Sequence, residues 1–215
     1  KKGNYPENKL VACSTSMIRE YDNGFKRYLL SMGTKGRLPK ANELADYLLF
    51  YEKKKNVDYG FGLPTASMLI TKECFDQVGF FDENLERVED MDLSIRLSLA
   101  NISFVSVKEV LVIQTSNKKN NKGSKNFKSK KMLIKKYKSY LERKNLYWHS
   151  QQWPKLRYFY FERKFFIVLF ILFKLILKNP IRTFSHFIHT GKNRLILDLS
   201  LFIQKFFNKS VNRPN

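Results

Sequence analysis

Short apolar runs recur through the first half of the chain at lengths typical of strands. The run KLVACSTSMI, Lys9 to Ile18, is rich in apolar and β-branched residues and stops at the turn-like YDNG, which predicts a strand followed by a loop. Ser67 to Ile70 predicts a buried strand. Alternation in ISFVSV and the apolar run EVLVIQ predict two more strands near Ile102 to Gln114. We therefore expect a sheet in this half.

Helical spacing is interspersed with these strands. The pattern from Phe25 to Tyr59 is helical and charged, although glycines and Pro39 interrupt it, and ANELADYLLFYEKKK is its most helix-like part. Lys72 to Gln77 predicts a single helical turn that stops at Gly79. Strands and helices together indicate an α/β fold.

The pattern changes twice in the second half. Asn117 to Lys131 is polar and lysine-rich, which predicts a mobile loop, and Met132 to Asn145 predicts a basic helix. Strongly apolar segments follow Pro154. We expect three regions: 1–116 as an α/β part, 117–153 as a basic loop and helix, and 154–215 as amphipathic helices.

The apolar segment is too short for an evident membrane span. A span needs about 20 apolar residues, whereas the run between Lys164 and Lys178 is shorter and contains Lys174. On a helix begun after Pro154, basic residues fall on one side: Arg157, Lys164, Lys174 and Lys178. This stripe favours a helix lying on an anionic membrane surface, with a true span and a soluble core helix as the alternatives.

Composition narrows the function classes. The 215 residues carry a formal charge of +21, which favours an anionic partner such as nucleic acid, an anionic membrane or a phosphorylated substrate. Cys13 and Cys74 are the two cysteines, and their spacing indicates neither a disulfide framework nor a zinc site. The chain opens without the pattern of a secretory signal.

One stretch is acidic within this basic chain. VGFFDENLERVEDMDLSIRL, Val78 to Leu97, contains six carboxylates. Glu89, Asp90 and Asp92 directly precede LSIRLSLA, whose spacing fits a strand or a helix, and the acids favour a helix start. Helix capping alone would explain them. Crowding should also raise the proton affinity of at least one, which suits a general base.

The order of these parts resembles the second half of the catalytic domain of family 2 glycosyltransferases. A strand at Ser67 to Ile70, a short helix, the turn VGFFDE and the motif EDMDLSIR at Glu89 to Arg96 follow one another as in that family. The resemblance covers about Lys9 to Asn145 and also extends to the apolar basic tail. Because several spaced elements agree, the resemblance is more specific than a match to one acidic pair alone would be.

The resemblance implies a GT-A-like mixed sheet flanked by helices, present in part, without the N-terminal nucleotide-binding half. It also implies a nucleotide-sugar donor and inversion at the anomeric carbon. The family's catalytic base maps to Asp90, with Glu89 beside it. Asp92 and Arg96 are expected to be acceptor-binding or structural, and for Arg96 an ion pair with the acidic cluster is favoured over substrate contact.

Two departures from the family pattern affect the expected cofactor. The family's metal-binding DxD motif normally precedes this region, and nothing of that kind precedes Lys9, so we expect a divalent cation, Mn²⁺ or Mg²⁺, whose ligands lie mostly outside the chain. We expect the sequence to be the C-terminal part of a longer enzyme and to be inactive alone. Gln114 stands near a position where many relatives have His, so a histidine metal ligand there is in doubt.

The expected partners follow from the same resemblance. They are a nucleotide-sugar donor, a cell-envelope glycan or lipid-linked acceptor and an anionic membrane surface, at the cytoplasmic face of the plasma membrane. Two other classes of function stay open. A non-enzymatic basic membrane scaffold would fit the tail. Nucleic-acid binding would fit the lysine-rich arm, but no known nucleic-acid-binding motif appears, and we do not expect a nucleic-acid partner.

Overall fold

The computed structural model of the protein describes residues 10–22, 24–116 and 122–188. These residues form a mixed α/β structure, which confirms the expected fold class at that level. They divide into two compact units, one that ends at Phe161 and one that begins at Glu162.

The first unit contains an open four-stranded sheet built around its first strand. The strands are β1 (Val11–Tyr21), β2 (Lys26–Leu29), β3 (Met68–Ile70) and β4 (Ser103–Ser116). Strand β4 runs parallel to β1 along its whole length, while β3 and β2 pair antiparallel with successive parts of β1. Because a strand has only two edges, β2 and β3 must share the edge opposite β4.

Three predictions about the sheet need correction. The strand predicted from Ser67 to Ile70 begins at Met68 and is not buried, because Leu69 is 73 % exposed. The segment Ile102 to Gln114 is not two strands but belongs to the single strand β4, whose register against β1 shifts on both sides of Ser16. Such irregularities bend a strand without ending it. The segment after Phe25 begins with strand β2 and not with a helix, because the turn after Tyr21, in which Gly24 donates to the Tyr21 carbonyl (2.8 Å), folds the chain into a hairpin.

Helices cover the sheet and extend beyond it. In the first unit they are α1 (Glu43–Phe50), α2 (Lys72–Val78), α3 (Glu89–Leu99), α4 (Lys122–Lys136), α5 (Lys138–Arg143) and α6 (Tyr147–Phe161), with a 3₁₀ turn at Thr65–Ser67. The predicted helix within ANELADYLLFYEKKK, the helical turn ending before Gly79 and the helix at the acidic motif are confirmed. Gly79 adopts a φ of 79°, a conformation that favours glycine.

The basic region departs from expectation. Helix α4 begins at Lys122, so the predicted mobile loop is wrong for 122–131, and the rest of that loop, 117–121, lies outside the described residues. Leu133 and Tyr137 are buried at helical spacing, and this packing outweighs the polar composition before them. The helix predicted to start after Pro154 is also wrong, because Pro154 lies inside α6. Arg157 is therefore on α6, whereas Lys174 and Lys178 are on the helix Phe165–Lys178, so they do not form one stripe on a single helix.

Helix α3 lies between two hydrophobic clusters. Leu93 and Leu97 pack in the cluster that includes Ala12 and Phe104 of the sheet. Ile95 packs in the other cluster, with side chains from α1, α4 and α5 that include Leu133. Leu93, Ile95 and Leu97 have no exposed surface. Burial on two sides fixes the helix and hence the position of its first turn.

The second unit is described as far as residue 188. It contains α7 (Phe165–Lys178) and a further helical stretch, 180–188, linked by hydrogen bonds from the Thr183 hydroxyl to the carbonyls of Leu175 (3.0 Å) and Asn179 (2.8 Å). In the described part of the chain, no helix is long and apolar enough to cross a membrane. The rest of the region predicted to form amphipathic helices, 189–215, lies outside the described residues.

Candidate active site at the start of helix α3

The first turn of α3 gathers the carboxylates of Glu89, Asp90 and Asp92. The preceding residue, Val88, has a left-handed backbone with a φ of 64°. That conformation is strained for a β-branched side chain, and strain of this kind is concentrated at functional sites. The positive end of the helix dipole favours carboxylates here. Local strain and local charge therefore mark the same turn.

Asp90, in the first turn of α3, is half-buried and faces the 3₁₀ turn at Thr65–Ser67. Its carboxylate accepts the backbone N–H of Met91 (2.7 Å) and also that of Thr65. Burial, and next the charge of Glu89, raise the pKa of Asp90, while the Met91 N–H, Lys130 and the Thr65 N–H act in the opposite direction. A carboxylate with raised proton affinity is suited to accept a proton.

Lys130 of α4 lies beside this carboxylate. Its ammonium group contacts the sulfur of Met91, the residue after Asp90, at 2.6 Å. Burial, and next the positive charge of Arg157, lower the pKa of Lys130 to about 8, although the charge of Asp90 acts in the opposite direction. The site thus holds a carboxylate on α3 and cations on α4 and α6.

Asp92 faces the other way and has no exposed surface. Its carboxylate accepts hydrogen bonds from the Tyr137 hydroxyl (2.8 Å) and from Arg96 Nε (2.9 Å), and it pairs with Lys136 (3.0 Å). Lys136 also pairs with Asp82 (2.7 Å). Three donors around one buried carboxylate form a structural anchor, which favours the structural alternative for Asp92 over acceptor binding.

Arg96 extends that anchor to the turn before the motif. Besides Asp92, its guanidinium donates to the carbonyls of Val78, Gly79 (2.8 Å) and Phe80 (2.8 Å). These carbonyls lie at and just after the C-terminal end of α2, where helix carbonyls lack partners within the helix. The contacts again favour the structural alternative for Arg96 and explain why the motif contains an arginine one turn after Asp92.

The remaining predicted residues are distributed differently. Glu89 is the first residue of α3 and is partly buried beside Asp90. Gln114 lies on β4, where its side-chain oxygen accepts two hydrogen bonds from Arg19 of β1, at 2.9 and 2.7 Å. Arg19 also lies over the ring of Phe61, 5.4 Å from its centre. The side chain of Gln114 therefore binds Arg19, the residue opposite it on the neighbouring strand β1.

The residues described by the structure include no cluster of three or more His, Cys, Asp or Glu side chains that could hold a metal ion. The divalent cation thus stays a prediction, and no step proposed below passes through it. Two of the chain's three histidines are buried: His149, whose ring is near that of Trp153, and His186. The third, His189, lies outside the described residues.

Sequence reasoning did not identify several residues of this site. Thr65, Lys130 and Tyr137 come from three separate segments, and Lys130 belonged to a segment expected to be a loop. The signal available in the sequence was the spacing of Leu133, Ile134 and Tyr137, which extends back to Lys130 with helical periodicity. It predicts that Lys130 shares a helix with buried side chains, but not which residue it contacts.

Comparison with known proteins adds no assignment: no protein-family model, curated protein or solved structure matches this chain.

Proposed function

We propose that the protein is an inverting glycosyltransferase with a GT-A-like catalytic domain, in which Asp90 is the general base. The observation that carries this proposal is the environment of Asp90: a half-buried carboxylate with raised proton affinity at the start of a fixed helix. The order of sequence motifs supports the reaction class, since the strand, short helix, FDE turn and EDMDLSIR motif occur in the order of family 2 glycosyltransferases.

The proposed reaction is a single displacement. Asp90 accepts the proton of an acceptor hydroxyl while that oxygen forms a bond to the anomeric carbon of the donor sugar. The bond from that carbon to the diphosphate oxygen breaks, and the nucleoside diphosphate leaves with the electron pair. Attack opposite the leaving group inverts the configuration. Positioning and general-base assistance both lower the barrier to such a step.

Asp92 and Arg96 would support this chemistry without touching the substrate. Their ion pair connects the start of α3 to the chain that follows α2, and Tyr137 connects it to the end of α4. The proposed base therefore lies on a turn held from two directions. Positions supported in this way keep a catalytic group within the narrow range of productive geometry.

The proposal is tested by sugar transfer in the complete gene product that contains this chain, with a panel of nucleotide sugars, Mn²⁺ or Mg²⁺, and membrane extract as acceptor. Asp90→Asn should reduce transfer by about 10²-fold or more, the usual lower range for losing a general base. The matched control is Glu86→Gln, which removes a carboxylate from the same stretch where its pair with Lys125 is exposed.

Each result has a defined meaning. If Asp90→Asn transfers sugar at the wild-type rate, the role of Asp90 is only structural, in binding the Thr65 turn, and the proposed role as general base is wrong. If the wild type transfers no sugar from any donor yet binds membranes, the non-enzymatic scaffold becomes the better account. Circular dichroism of each variant shows whether it remains folded.

We also propose that the second unit attaches the enzyme to an anionic membrane surface. Phe166 of α7 is 91 % exposed. Other large apolar side chains of this unit are also exposed: Leu169, Phe170, Phe173, Leu177, Ile181 and Phe184. Apolar side chains near lysines such as Lys164 and Lys174 suit a helix in the headgroup region, where they would enter the acyl boundary.

Vesicle sedimentation tests the membrane proposal. Phe173→Asp should weaken binding to vesicles that contain phosphatidylglycerol, because it removes an apolar side chain and adds repulsion from anionic headgroups. Leu69→Asp is the matched control, since Leu69 is an exposed apolar residue of the first unit. Equal loss in both variants, or equal binding to neutral and anionic vesicles, would contradict the proposal.

A further inference from the structure

Two cations face the proposed base from helices that follow it in the chain. Lys130 on α4 contacts Met91, the neighbour of Asp90, and the charges of both Asp90 and Arg157 act on its ammonium group. One carboxylate, one ammonium group and one guanidinium group are therefore close neighbours. The proposed reaction uses the carboxylate and leaves both cations without an assigned role.

Packing between α4 and α6 fixes the spacing of these cations. The ring of Phe127, one turn before Lys130, stacks on that of Tyr158, the neighbour of Arg157, with centres 4.8 Å apart. Lys130 is half-buried, whereas Arg157 is exposed. The less exposed cation and the more exposed one thus lie on two helices that an aromatic contact holds together.

We infer that Lys130 and Arg157 form a binding site for the diphosphate group of the donor, beside Asp90. The identity of this ligand rests on the proposed function, because a nucleotide sugar carries a diphosphate next to the carbon that reacts. Negative charge develops on the leaving oxygen as the sugar bond breaks. Fixed cations near that oxygen stabilise the transition state more than the ground state.

The chemistry of the two side chains fits this ligand. A guanidinium binds phosphate oxygens through parallel N–H donors, and an ammonium binds them as a compact charge. Like charges held close together are unfavourable until an anion lies between them. An anion would therefore raise the pKa of Lys130 from the value of about 8 that burial and Arg157 give it.

Binding of P¹,P²-dimethyl diphosphate tests the inference without any sugar transfer. This diester carries the charged linkage of a nucleoside diphosphate sugar, lacks base and sugar, and has no group that titrates near neutral pH. Its dissociation constant is measured by ³¹P NMR at physiological salt on the complete gene product. Lys130→Gln and Arg157→Gln should each raise it about tenfold or more, as loss of a charge-assisted hydrogen bond does.

The control is Lys131→Gln, which removes one positive charge from the adjacent, exposed position of α4. It should leave the dissociation constant unchanged. Equal weakening by Lys131→Gln would show binding by overall positive charge and overturn the inference. So would wild-type affinity in Arg157→Gln, which is informative even if Lys130→Gln fails to fold, because Arg157 is exposed.

A second readout separates this inference from the proposed function. The ammonium of Lys130 is followed by NMR as pH rises, with and without the saturating diester, and its pKa should increase on binding. Asp90→Asn should still bind the diester even though it loses transfer. If the wild-type protein binds the diester but transfers no sugar from any donor, the glycosyltransferase proposal is contradicted. If the wild type transfers sugar but Lys130→Gln and Arg157→Gln bind the diester as tightly as it does, the diphosphate site is contradicted.

Discussion

Replacing Asp92 with Asn should destabilise the first unit more than neutralising any other carboxylate of the acidic stretch. Asn keeps the shape of the side chain and one acceptor oxygen but removes the charge. Asp92 has no exposed surface, Arg96 is 17 % exposed and Lys136 is 36 % exposed. The variant would therefore leave a largely buried guanidinium without its counter-charge.

The expected loss follows from those exposures. Removing one partner of a buried ion pair costs about 3–5 kcal/mol, and most of this comes from Arg96. Lys136 adds little, because it is more exposed and retains Asp82 as a partner. The Tyr137 hydrogen bond is partly preserved by the remaining oxygen of Asn. Since domains unfold with about 5–15 kcal/mol, a loss near 3 kcal/mol would remove a large share of the stability.

Urea unfolding followed by circular dichroism measures this loss as a lower midpoint at constant slope. Glu86→Gln, at an exposed pair, should leave the midpoint unchanged. A double-mutant cycle of Asp92→Asn with Tyr137→Phe should give a coupling of about 0.5–3 kcal/mol, as for side chains in contact. A loss of stability below about 1 kcal/mol in Asp92→Asn would mean that the ion pairs of Asp92 contribute no more than exposed ion pairs do, and would refute the reasoning.

Three further predictions concern titrating groups. Burial and the charge of Glu89 raise the pKa of Asp90 in the folded state, so ionisation of Asp90 destabilises the fold as pH rises past its unfolded-state pKa of about 3.9. Asp90→Asn should therefore increase the free energy of unfolding, measured in urea at neutral pH, and this gain should shrink in acid. A decrease at neutral pH would contradict the prediction. Glu89→Gln should move the acid limb of the transfer profile to lower pH, and an upward move would be the wrong sign. Burial raises the pKa of Cys13, so in a Cys74→Ala background iodoacetamide should modify it more slowly at neutral pH than after unfolding, and equal rates would contradict this.

Sequence periodicity predicted the elements whose signals are local. The strand at Val11–Tyr21, the helix at Glu43–Phe50 and the helix at Glu89–Leu99 each have an apolar pattern or a terminal signal in their own residues. The stop at Gly79 also has a local cause, because its backbone adopts a positive φ. Where the residues of an element carry its signal, one sequence is sufficient.

Elements fixed by distant contacts were missed. Helix α4 was predicted in part as a loop, because ten of its fifteen residues are in a lysine-rich stretch whose composition favours disorder. Its order comes from buried side chains later in the same helix, such as Leu133, which pack on α3 and α1. The same limit applies to the site: the motif marked Asp90 and Asp92, but their partners Lys130 and Tyr137 come from about 40 residues further along the chain.

The two aspartates of the motif have opposite environments because they are two residues apart on one helix. A separation of two residues rotates a side chain by about 200°, so Asp90 and Asp92 cannot face the same neighbours. Asp92 faces α4 and α5 and meets three donors, whereas Asp90 faces the Thr65 turn and meets burial and the charge of Glu89. One carboxylate is thereby committed to holding the turn. The other keeps the proton affinity that the proposed reaction requires, and the spacing EDMD provides both.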